Sequence, residues 1–223
     1  MRKLLSISAA AILGVLCFSQ AVLGGFSLYG DYTFTSLNLS GGSIKVNFLN
    51  LASEYKADLF CLGGFYAFSA ALDPEPVDPF EVNYGFYGFY GGYNIENDET
   101  YRLDILSGYY YYRWKGVRDD TGTPIPFTAE CVSLAMGFRI EAGMGGFSGL
   151  VTFLSGVYTD FRYKESGLSF ESFDPGFSLL EMKGVYAFTR AWNILLVYRT
   201  CHATSHFSDC GCTGFGLGMQ INF

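Results

Sequence analysis

The last ten residues of the chain alternate strictly between large apolar side chains and small or polar ones. One face of this segment carries Phe215, Leu217, Met219, Ile221 and Phe223, and the other carries Gly214, Gly216, Gly218, Gln220 and Asn222. Successive side chains of a β-strand point to opposite faces, so this period of two predicts a strand with one apolar face. A chain that ends on such a strand needs a sheet around it and an apolar environment on one side of that sheet.

Weaker versions of the same alternation recur along the chain. Beyond the N-terminal segment, no stretch approaches the roughly 20 consecutive apolar residues that a membrane-spanning helix needs. Only 16% of the residues are charged, against 18% aromatic, which leaves a soluble domain short of polar surface. A membrane protein without apolar helices must close its strands into a barrel, because every backbone polar group needs a partner inside the protein. The sequence therefore predicts an all-β fold, a closed antiparallel transmembrane β-barrel.

The lengths of the connections indicate the number of strands. Short links at residues 51–54, 96–99, 143–147 and 189–191 alternate with mostly longer ones, as in barrels with short periplasmic turns and long outer loops. This spacing predicts about ten strands with both chain ends on the periplasmic side. If residues 43–51 form a loop instead of a strand, the barrel has eight strands and a long first outer loop. The predicted strands lie near residues 26–36, 43–51, 55–69, 82–95, 100–114, 131–142, 148–163, 178–188, 192–202 and 215–223.

The N-terminal segment has the pattern of a secretory signal peptide. Arg2 and Lys3 precede an apolar run over residues 4–18, and small residues then offer cleavage after Ala21 or Gly24. We therefore predict a signal peptide over residues 1–24 and a single barrel domain over residues 25–223.

The strand pattern assigns charged side chains to the barrel interior. The inward set comprises Asp31, Lys45, Lys56, Asp58, Arg102, Asp104, Arg139, Glu141, Asp160, Arg162, Glu181, Lys183 and Arg199. The two signs nearly cancel, and buried charges persist when they are paired, so we predict a largely plugged, charge-neutral lumen. The alternative is a narrow channel for small or hydrophobic solutes, lined by the glycine-aromatic segment at residues 84–93. In the aromatic run, alternation turns Tyr110 and Tyr112 inward, while Trp114 is predicted at the outer headgroup level.

The acidic residues outside the lumen concentrate in the connections. The net charge is -7, which argues against nucleic acid as a partner and favours a structural or surface-binding role through acidic outer loops. No cofactor is predicted. The loop residues concerned are Asp73, Glu75, Asp78, Glu81, Asp119, Asp120, Glu165, Glu171 and Asp174.

The terminal segment also resembles the C-terminal signature of bacterial outer-membrane β-barrel proteins, which alternates hydrophobic residues and ends on an aromatic one. The resemblance implies that Phe215, Leu217, Met219, Ile221 and Phe223 form an assembly signal read by the barrel-assembly machinery. It further implies export through the inner membrane and integration into the outer membrane of a Gram-negative-type envelope, where outer-membrane lipid surrounds a small monomeric barrel. No specific family follows from it.

One segment before the last strand is rich in reactive side chains and has three interpretations. A disulfide between Cys201 and Cys212 suits the oxidising cell exterior. A metal site would use Cys201, His202, His206 and Cys210. The stretch from His206 to Asp209 is also similar to the His-aromatic-Ser-Asn motif of outer-membrane lipid A deacylases, which implies His206 as base and Ser208 as nucleophile of an esterase. Asp209 stands where that family has Asn, and the favoured hypothesis is a protein that is not an enzyme.

Overall fold

The structure is a computed structural model that describes residues 24–39, 42–69, 83–98, 100–118, 125–165, 167–171, 175–204 and 209–223. The predicted signal peptide lies outside these residues except for Gly24. Among the described residues, no helix is long and apolar enough to span a membrane.

The described residues form a closed antiparallel β-barrel. β1 pairs with β2 on one edge and with β11 on the other, so the first and last strands of the chain are neighbours. The pairing of β6 with β7 then closes the ring of strands. Ten strands make the wall, and the short β8 forms a hairpin with the end of β7. The predicted ten-stranded barrel is confirmed, and the eight-stranded alternative is wrong because β2 pairs with β1 along its whole length. The strands are β1 (Gly24–Leu39), β2 (Gly42–Ala57), β3 (Phe60–Ser69), β4 (Asn83–Asn97), β5 (Tyr101–Arg118), β6 (Ile125–Met144), β7 (Phe147–Glu165), β8 (Leu168–Glu171), β9 (Gly176–Ala187), β10 (Trp192–Thr204) and β11 (Asp209–Asn222).

The barrel has two unlike ends. Short connections at residues 58–59, 98–100, 145–146 and 188–191 lie at the end where β1 begins and β11 finishes, which we call the turn end. Gly145 and Gly146 have φ of 63° and 89°, the conformation that a two-residue hairpin turn requires at both central positions. The opposite end, which we call the loop end, carries most of the longer connections. Three of the four short links agree with the predicted turns.

The outer wall is apolar over the middle of the barrel. Large apolar side chains on every second position point away from the lumen and are exposed, as a lipid-facing barrel wall requires. A soluble protein would instead bury such a continuous surface. The exposed side chains include Phe34, Leu51, Leu62, Phe89, Ile105, Leu134, Met136, Phe153, Leu196, Phe215, Leu217 and Met219.

A row of glycines lines the lumen face of β11 next to β1. Gly214, Gly216 and Gly218 all lie at lumen-facing positions, and they alternate with the outward Phe215 and Leu217. A Cβ atom on Gly216 would lie 2.7 Å from Thr33 Oγ1 and 2.8 Å from the carbonyl oxygen of Tyr32. We call these three residues the glycine row. Because the glycine row has no side chains, the inward side chains of β1 can lie over the contact between β1 and β11.

The second strand is longer than predicted, and the first turn lies elsewhere. Residues 51–54 continue β2, and the chain turns at residues 58–59. Asp58 is therefore an exposed turn residue, and Lys45 is exposed on the side of β2 opposite to the buried Phe48. Neither charge lies in the lumen, contrary to the prediction. The error arose because the polar residues around Glu54 suggested a turn, whereas in a polar lumen such residues belong to the interior.

A bulge in β7 reverses the predicted orientation of its outer part. The register between β6 and β7 shifts where Leu134 pairs with Tyr158 and Ala135 pairs with Gly156, so Val157 has no partner residue. One extra residue exchanges the two faces of a strand. Beyond the bulge Phe161 is buried in the lumen, while Asp160 and Arg162 pair with each other at 2.9 Å on the outer side. The prediction that these two charges face the lumen is wrong.

Deletion of Val157 should leave the barrel able to fold. The deletion removes the unpaired residue and keeps the facing of Gly156 and Tyr158, because Val157 is the extra residue of the bulge. Deletion of Val151, which is paired with Ile140, should prevent folding because one part of β7 must then reverse its faces. Electrophoretic mobility of unheated against heated samples separates folded from unfolded barrel. Equal folding of the two deletion variants would contradict the assigned bulge.

Candidate functional site

Arg139 on β6 is the centre of one ion-pair network inside the barrel. Its guanidinium donates two hydrogen bonds to Oδ2 of Asp104 on the neighbouring β5, from Nε at 3.1 Å and from Nη2 at 2.7 Å. Through Nη1 it also pairs with Glu54 on β2, although three strands of the wall separate β2 from β6. Tyr90 donates its hydroxyl hydrogen to the same Glu54 carboxylate. Arg139, Asp104 and Glu54 are all buried, so the network fixes two distant walls of the barrel to each other.

Asp104 also binds polar groups of its own wall. Its Oδ1 accepts hydrogen bonds from Arg102 Nε at 2.8 Å and from Asn94 Nδ2 at 3.0 Å. Arg102 in turn donates from Nη1 to the carbonyl oxygen of Ala57 at 2.9 Å. With four hydrogen bonds from three side chains, this buried carboxylate stays ionised and paired rather than isolated.

A second contact crosses the lumen nearer to the turn end. Lys56 on β2 pairs with Glu141 on β6 at 2.5 Å and with Glu54 at 3.3 Å. The Lys56 and Glu141 side chains keep 29% and 32% of their surface exposed, more than the rest of this network. Lys56 and Glu141 are therefore the most solvent-exposed members of the network around Arg139.

A separate network lies on the wall formed by β1, β11, β10 and β9, with its charged residues on β1, β9 and β10. Glu181 pairs with Arg199 through Nε at 2.7 Å and with Lys183 at 2.7 Å. Arg199 Nη2 lies 3.7 Å from Oδ2 of Asp31. The Lys183 ammonium also lies 4.1 Å from the centroid of the Tyr29 ring, a cation–π contact.

Asp31 is held by neutral donors on its other carboxylate oxygen. Oδ1 accepts hydrogen bonds from Thr33 Oγ1 and from Asn50 Nδ2, both at 2.6 Å. Oδ2 is buried and has no hydrogen-bond donor within the described part of the chain. Asp31 therefore has two neutral donors on Oδ1 and the Arg199 guanidinium beside Oδ2.

The structure brings nine of the thirteen predicted interior charges into these two networks. Around Arg139 the cations Lys56, Arg102 and Arg139 balance Glu54, Asp104 and Glu141. Around Arg199 the cations Lys183 and Arg199 balance Asp31 and Glu181. Sequence reasoning missed Glu54, although the even-numbered positions from Phe48 to Lys56 share one face and would have indicated it.

Buried aromatic side chains occupy lumen-facing positions toward the loop end. Tyr110, Tyr112 and Trp114 of β5 are fully buried there, so Trp114 is a lumen residue rather than the predicted headgroup residue. Phe86 contacts Tyr112 edge to face with ring centroids 5.3 Å apart, and Phe177 stacks on Tyr110 at 5.6 Å. We call Phe86, Tyr110, Tyr112, Trp114, Phe161 and Phe177 the aromatic cluster.

A cavity of about 300 Å³ lies between the two networks and the aromatic cluster. It reaches from Phe86 and Tyr110 to the turn end, where Ser148, Val185 and Asn193 also line an open vestibule. Leu154, Leu179 and Leu195 form part of its wall. The cavity is therefore lined by apolar, neutral polar and ionised side chains, and it opens toward the turn end.

The cysteine and histidine candidates are only partly described. Cys201 and Cys212 lie directly opposite each other on β10 and β11, and both are buried thiols that are not joined by a disulfide. His202 points out of the barrel and lies 3.1 Å from Thr200 Oγ1, away from Cys201, so the two cannot bind one metal ion in this arrangement. In the described part of the chain no three metal-ligating side chains come together. His206, Ser208 and the Cys210 side chain lie outside the described residues.

Solved structures of similar fold place this barrel among known folds. The outer membrane protease OmpT from Escherichia coli matches with a TM-score of 0.62 at 11% identity, over 90% of this chain and 96% of that chain. The chain has the fold of outer-membrane β-barrel proteins. The translocator domain of the autotransporter NalP from Neisseria meningitidis matches with a TM-score of 0.52 at 9% identity, over 98% of this chain and 97% of that chain. No protein-family model and no curated protein matches the chain.

Proposed function

We propose that the protein is an integral outer-membrane barrel whose lumen does not conduct ions or solutes. The observation that carries this proposal is the aromatic cluster, which fills the lumen at the loop end with buried side chains. A permeating solute would have to displace Trp114 and Tyr112, which have no exposed surface. Rearranging such packed rings is costly because protein interiors are close-packed.

The charges of the lumen support the same proposal. Ion-selective pores present an excess of one sign at the constriction, whereas both networks are balanced internally. The bonds from Arg139 to Glu54 and from Lys56 to Glu141 also cross the passage between β2 and β6. An ion would have to break buried pairs whose separation exposes uncompensated charge.

The outer surface supports the membrane location and the partners. We propose that outer-membrane lipid covers the apolar wall and that the barrel-assembly machinery recognises the outward side of β11. Phe215, Leu217, Met219 and Phe223 are exposed on that side. The long connections at the loop end then face the exterior, and we propose that their acidic residues supply the contacts of a monomeric surface protein.

Conductance in planar lipid bilayers tests the closed lumen. The purified barrel, reconstituted beside an open porin as positive control, should give no discrete channels over a range of voltages. A second assay, swelling of liposomes in small sugars, should show no uptake above protein-free liposomes. Reproducible single-channel steps from the folded wild-type barrel would overturn the proposal.

We also propose that Cys201 and Cys212 form a disulfide when the protein is oxidised. Directly opposed residues of antiparallel strands have Cα atoms about 4.5–5.5 Å apart, within the range of about 4.4–6.8 Å that disulfides span. The bond needs the loss of two thiol hydrogens to an oxidising thiol–disulfide exchange partner. Its closed loop is short, so the expected stabilisation is about 3 kcal/mol at most.

Intact mass of protein treated with oxidised glutathione tests this pairing. The wild type should lose two hydrogen atoms in mass and regain them with reductant, whereas Cys212→Ser should not lose them. The variant Cys61→Ser serves as the matched control, because Cys61 lies on β3, away from the pair, and it should behave like the wild type. Mass loss that persists in Cys212→Ser would contradict the assignment.

A further inference from the structure

The outer face of the barrel carries a group of cations at the loop end. Arg113 and Lys115 on β5 and Arg162 and Lys164 on β7 lie on this face, and we call these four residues the cationic patch. We propose that the cationic patch binds a phosphate group of a lipid in the outer leaflet of the membrane. The inference rests on the membrane location and orientation in the proposed function, and it adds a ligand and a binding site on one side of the barrel.

The register of three neighbouring strands brings the four cations together. Neighbouring strands lie about 4.8 Å apart, and residues two positions apart on one strand are separated by about 7 Å. The Cα atoms of the four cations therefore mark the corners of a rectangle of about 10 by 7 Å, from which long side chains can reach one phosphate group. Two rows run across β5, β6 and β7 through the paired positions Arg113–Glu130–Arg162 and Lys115–Thr128–Lys164.

The bulge in β7 puts two of the four cations on the outer face. Without the extra residue Val157, the alternation of the preceding part of β7 would turn Arg162 and Lys164 into the lumen and Phe161 outward. In the bulged strand Phe161 is buried and both cations are exposed. Bulges are a common means of turning a side chain toward a functional site, and this bulge completes the cationic patch.

The cationic patch lies directly beyond the apolar part of the outer wall. The outward side chains of β6 are apolar from Ile140 to Val132, and the next outward residue toward the loop end is Glu130. On β5, Tyr111 is the last outward aromatic residue before Arg113. Tyrosine is typical of the headgroup level of a barrel wall. Cations one or two rows further out are therefore at the level of the lipid phosphates.

The two lysines of the patch are available to a ligand. Lys115 and Lys164 are exposed, and neither forms an ion pair with a residue in the described part of the chain. Nearest the apolar wall, Arg113 Nε lies 3.1 Å from Glu130 Oε1, and the arginine side chain keeps 41% of its surface exposed. Because a guanidinium has five N–H donors, one such contact leaves donors for a phosphate.

Positive charge is in excess at this place although the whole chain has a net charge of -7. Arg162 lies 2.9 Å from Asp160 and 3.8 Å from the mostly exposed Glu171. With Glu130, three carboxylates therefore face the four cations. The excess lies with the two lysines, in the row nearer to the loop end.

Other sides of the barrel have no comparable group among the described residues. Outward positions at the loop end of β1, β9, β10 and β11 carry hydroxyl groups and one histidine, and β2 carries a single lysine. A general attraction to anionic lipid would not require all four cations on one side. The residues at these other positions are Ser36, Lys45, Ser178, Thr200, His202 and Thr213.

A lipid phosphate matches both the donors and their surroundings. Arginine binds phosphate through pairs of N–H groups, and lysine binds it as a point charge. Acyl chains on the same molecule would pack against the apolar wall below the patch, a contact that free phosphate lacks. Lipid A, a phosphorylated disaccharide with several acyl chains, combines the two features and is the probe for this site.

Binding of lipid A to the full barrel in a neutral detergent tests the proposal without any variant. Native mass spectrometry should detect saturable binding of one lipid A molecule. The same lipid with its phosphates removed should not bind above the background given by the detergent. Equal affinities for lipid A with and without its phosphates would overturn the proposal.

Two double variants with the same change of net charge locate the site. Lys115→Gln combined with Lys164→Gln should weaken lipid A binding about 30-fold, since each cation near an anionic lipid surface contributes about 1 kcal/mol. Lys45→Gln combined with Arg190→Gln removes two exposed cations away from the patch and should leave the affinity within about twofold of wild type. Mobility of unheated samples on gels verifies that both variants are folded.

Two further results would contradict the assignment. Equal losses of affinity in the two double variants would show a general charge effect instead of a site. Displacement of lipid A by a small excess of inorganic phosphate would assign the patch to free phosphate. Failure of this proposal is distinguishable from failure of the proposed function, because conductance reports an open lumen whether or not lipid A binds.

Discussion

Replacing Arg139 with Met should destabilise the barrel by about 3–5 kcal/mol, the cost of removing one partner of a buried ion pair. The change leaves the buried carboxylates of Asp104 and Glu54 without the guanidinium that links them. Methionine keeps most of the volume, so the loss reports charge rather than packing. Urea titration of the barrel in lipid vesicles, followed by tryptophan fluorescence and gel mobility, measures the change.

A matched control is available on the adjacent strand. Arg162 pairs with Asp160 at 2.9 Å, but its side chain is 52% exposed, and exposed pairs contribute little. Arg162→Met should therefore change stability by less than about 1 kcal/mol. Adding Glu54→Gln to Arg139→Met should restore part of the lost stability, because Asp104 then still pairs with Arg102 and Lys56 still pairs with Glu141. Equal losses of stability in Arg139→Met and Arg162→Met would contradict the view that the buried network around Arg139 stabilises the barrel.

Replacing Trp114 with Ala should also cost about 3–5 kcal/mol, the range for deleting a buried aromatic side chain. Trp114 has no exposed surface, and its ring lies against the edge of Tyr112 with centroids 3.7 Å apart. The substitution removes one ring of the aromatic cluster and leaves a cavity at the loop end. Urea titration in vesicles measures stability.

The control for this substitution is an outward residue of the same strand. Tyr111 faces away from the lumen and stacks on Tyr87 at 4.9 Å, so Tyr111→Ala should lose about 1 kcal/mol from that contact. A larger loss of stability in Trp114→Ala than in Tyr111→Ala is expected only if alternate side chains of β5 face the lumen and the lipid. Similar losses in both variants would contradict that separation.

Much of the fold could be predicted because, in a barrel wall, alternate side chains along a strand face the lumen and the outside. The closing strand and the inward facing of Arg139, Asp104 and Glu181 follow from a period of two, and the ten-strand count follows from the alternation of short and long connections. The pairing of residues across the lumen could not be predicted in this way. Alternation shows that Glu141 points inward, but only the closed curvature of the wall brings it to Lys56.

The misassigned charges have one common physical origin. Parity is a local property that continues only while the strand is regular and its ends are known. The bulge at Val157 turns Asp160 and Arg162 to the outer face of β7. No distinctive residue in the sequence indicates this bulge. Because the first turn was predicted at residues 51–54, Glu54 was left out of the predicted interior and Asp58 was assigned to it. In a protein whose core is partly ionic, polarity alone does not distinguish a turn from a lumen-facing segment.

The glycine row bears on the order in which the barrel is completed. The last strand of the chain must pair with the first, and this event closes the cylinder. Because Gly214, Gly216 and Gly218 bring no side chains into the lumen, β11 can join β1 after Asp31, Thr33 and Asn50 have formed their hydrogen bonds. Along the glycine row, the final strand therefore pairs its backbone with β1 beside interior side chains that are already in place.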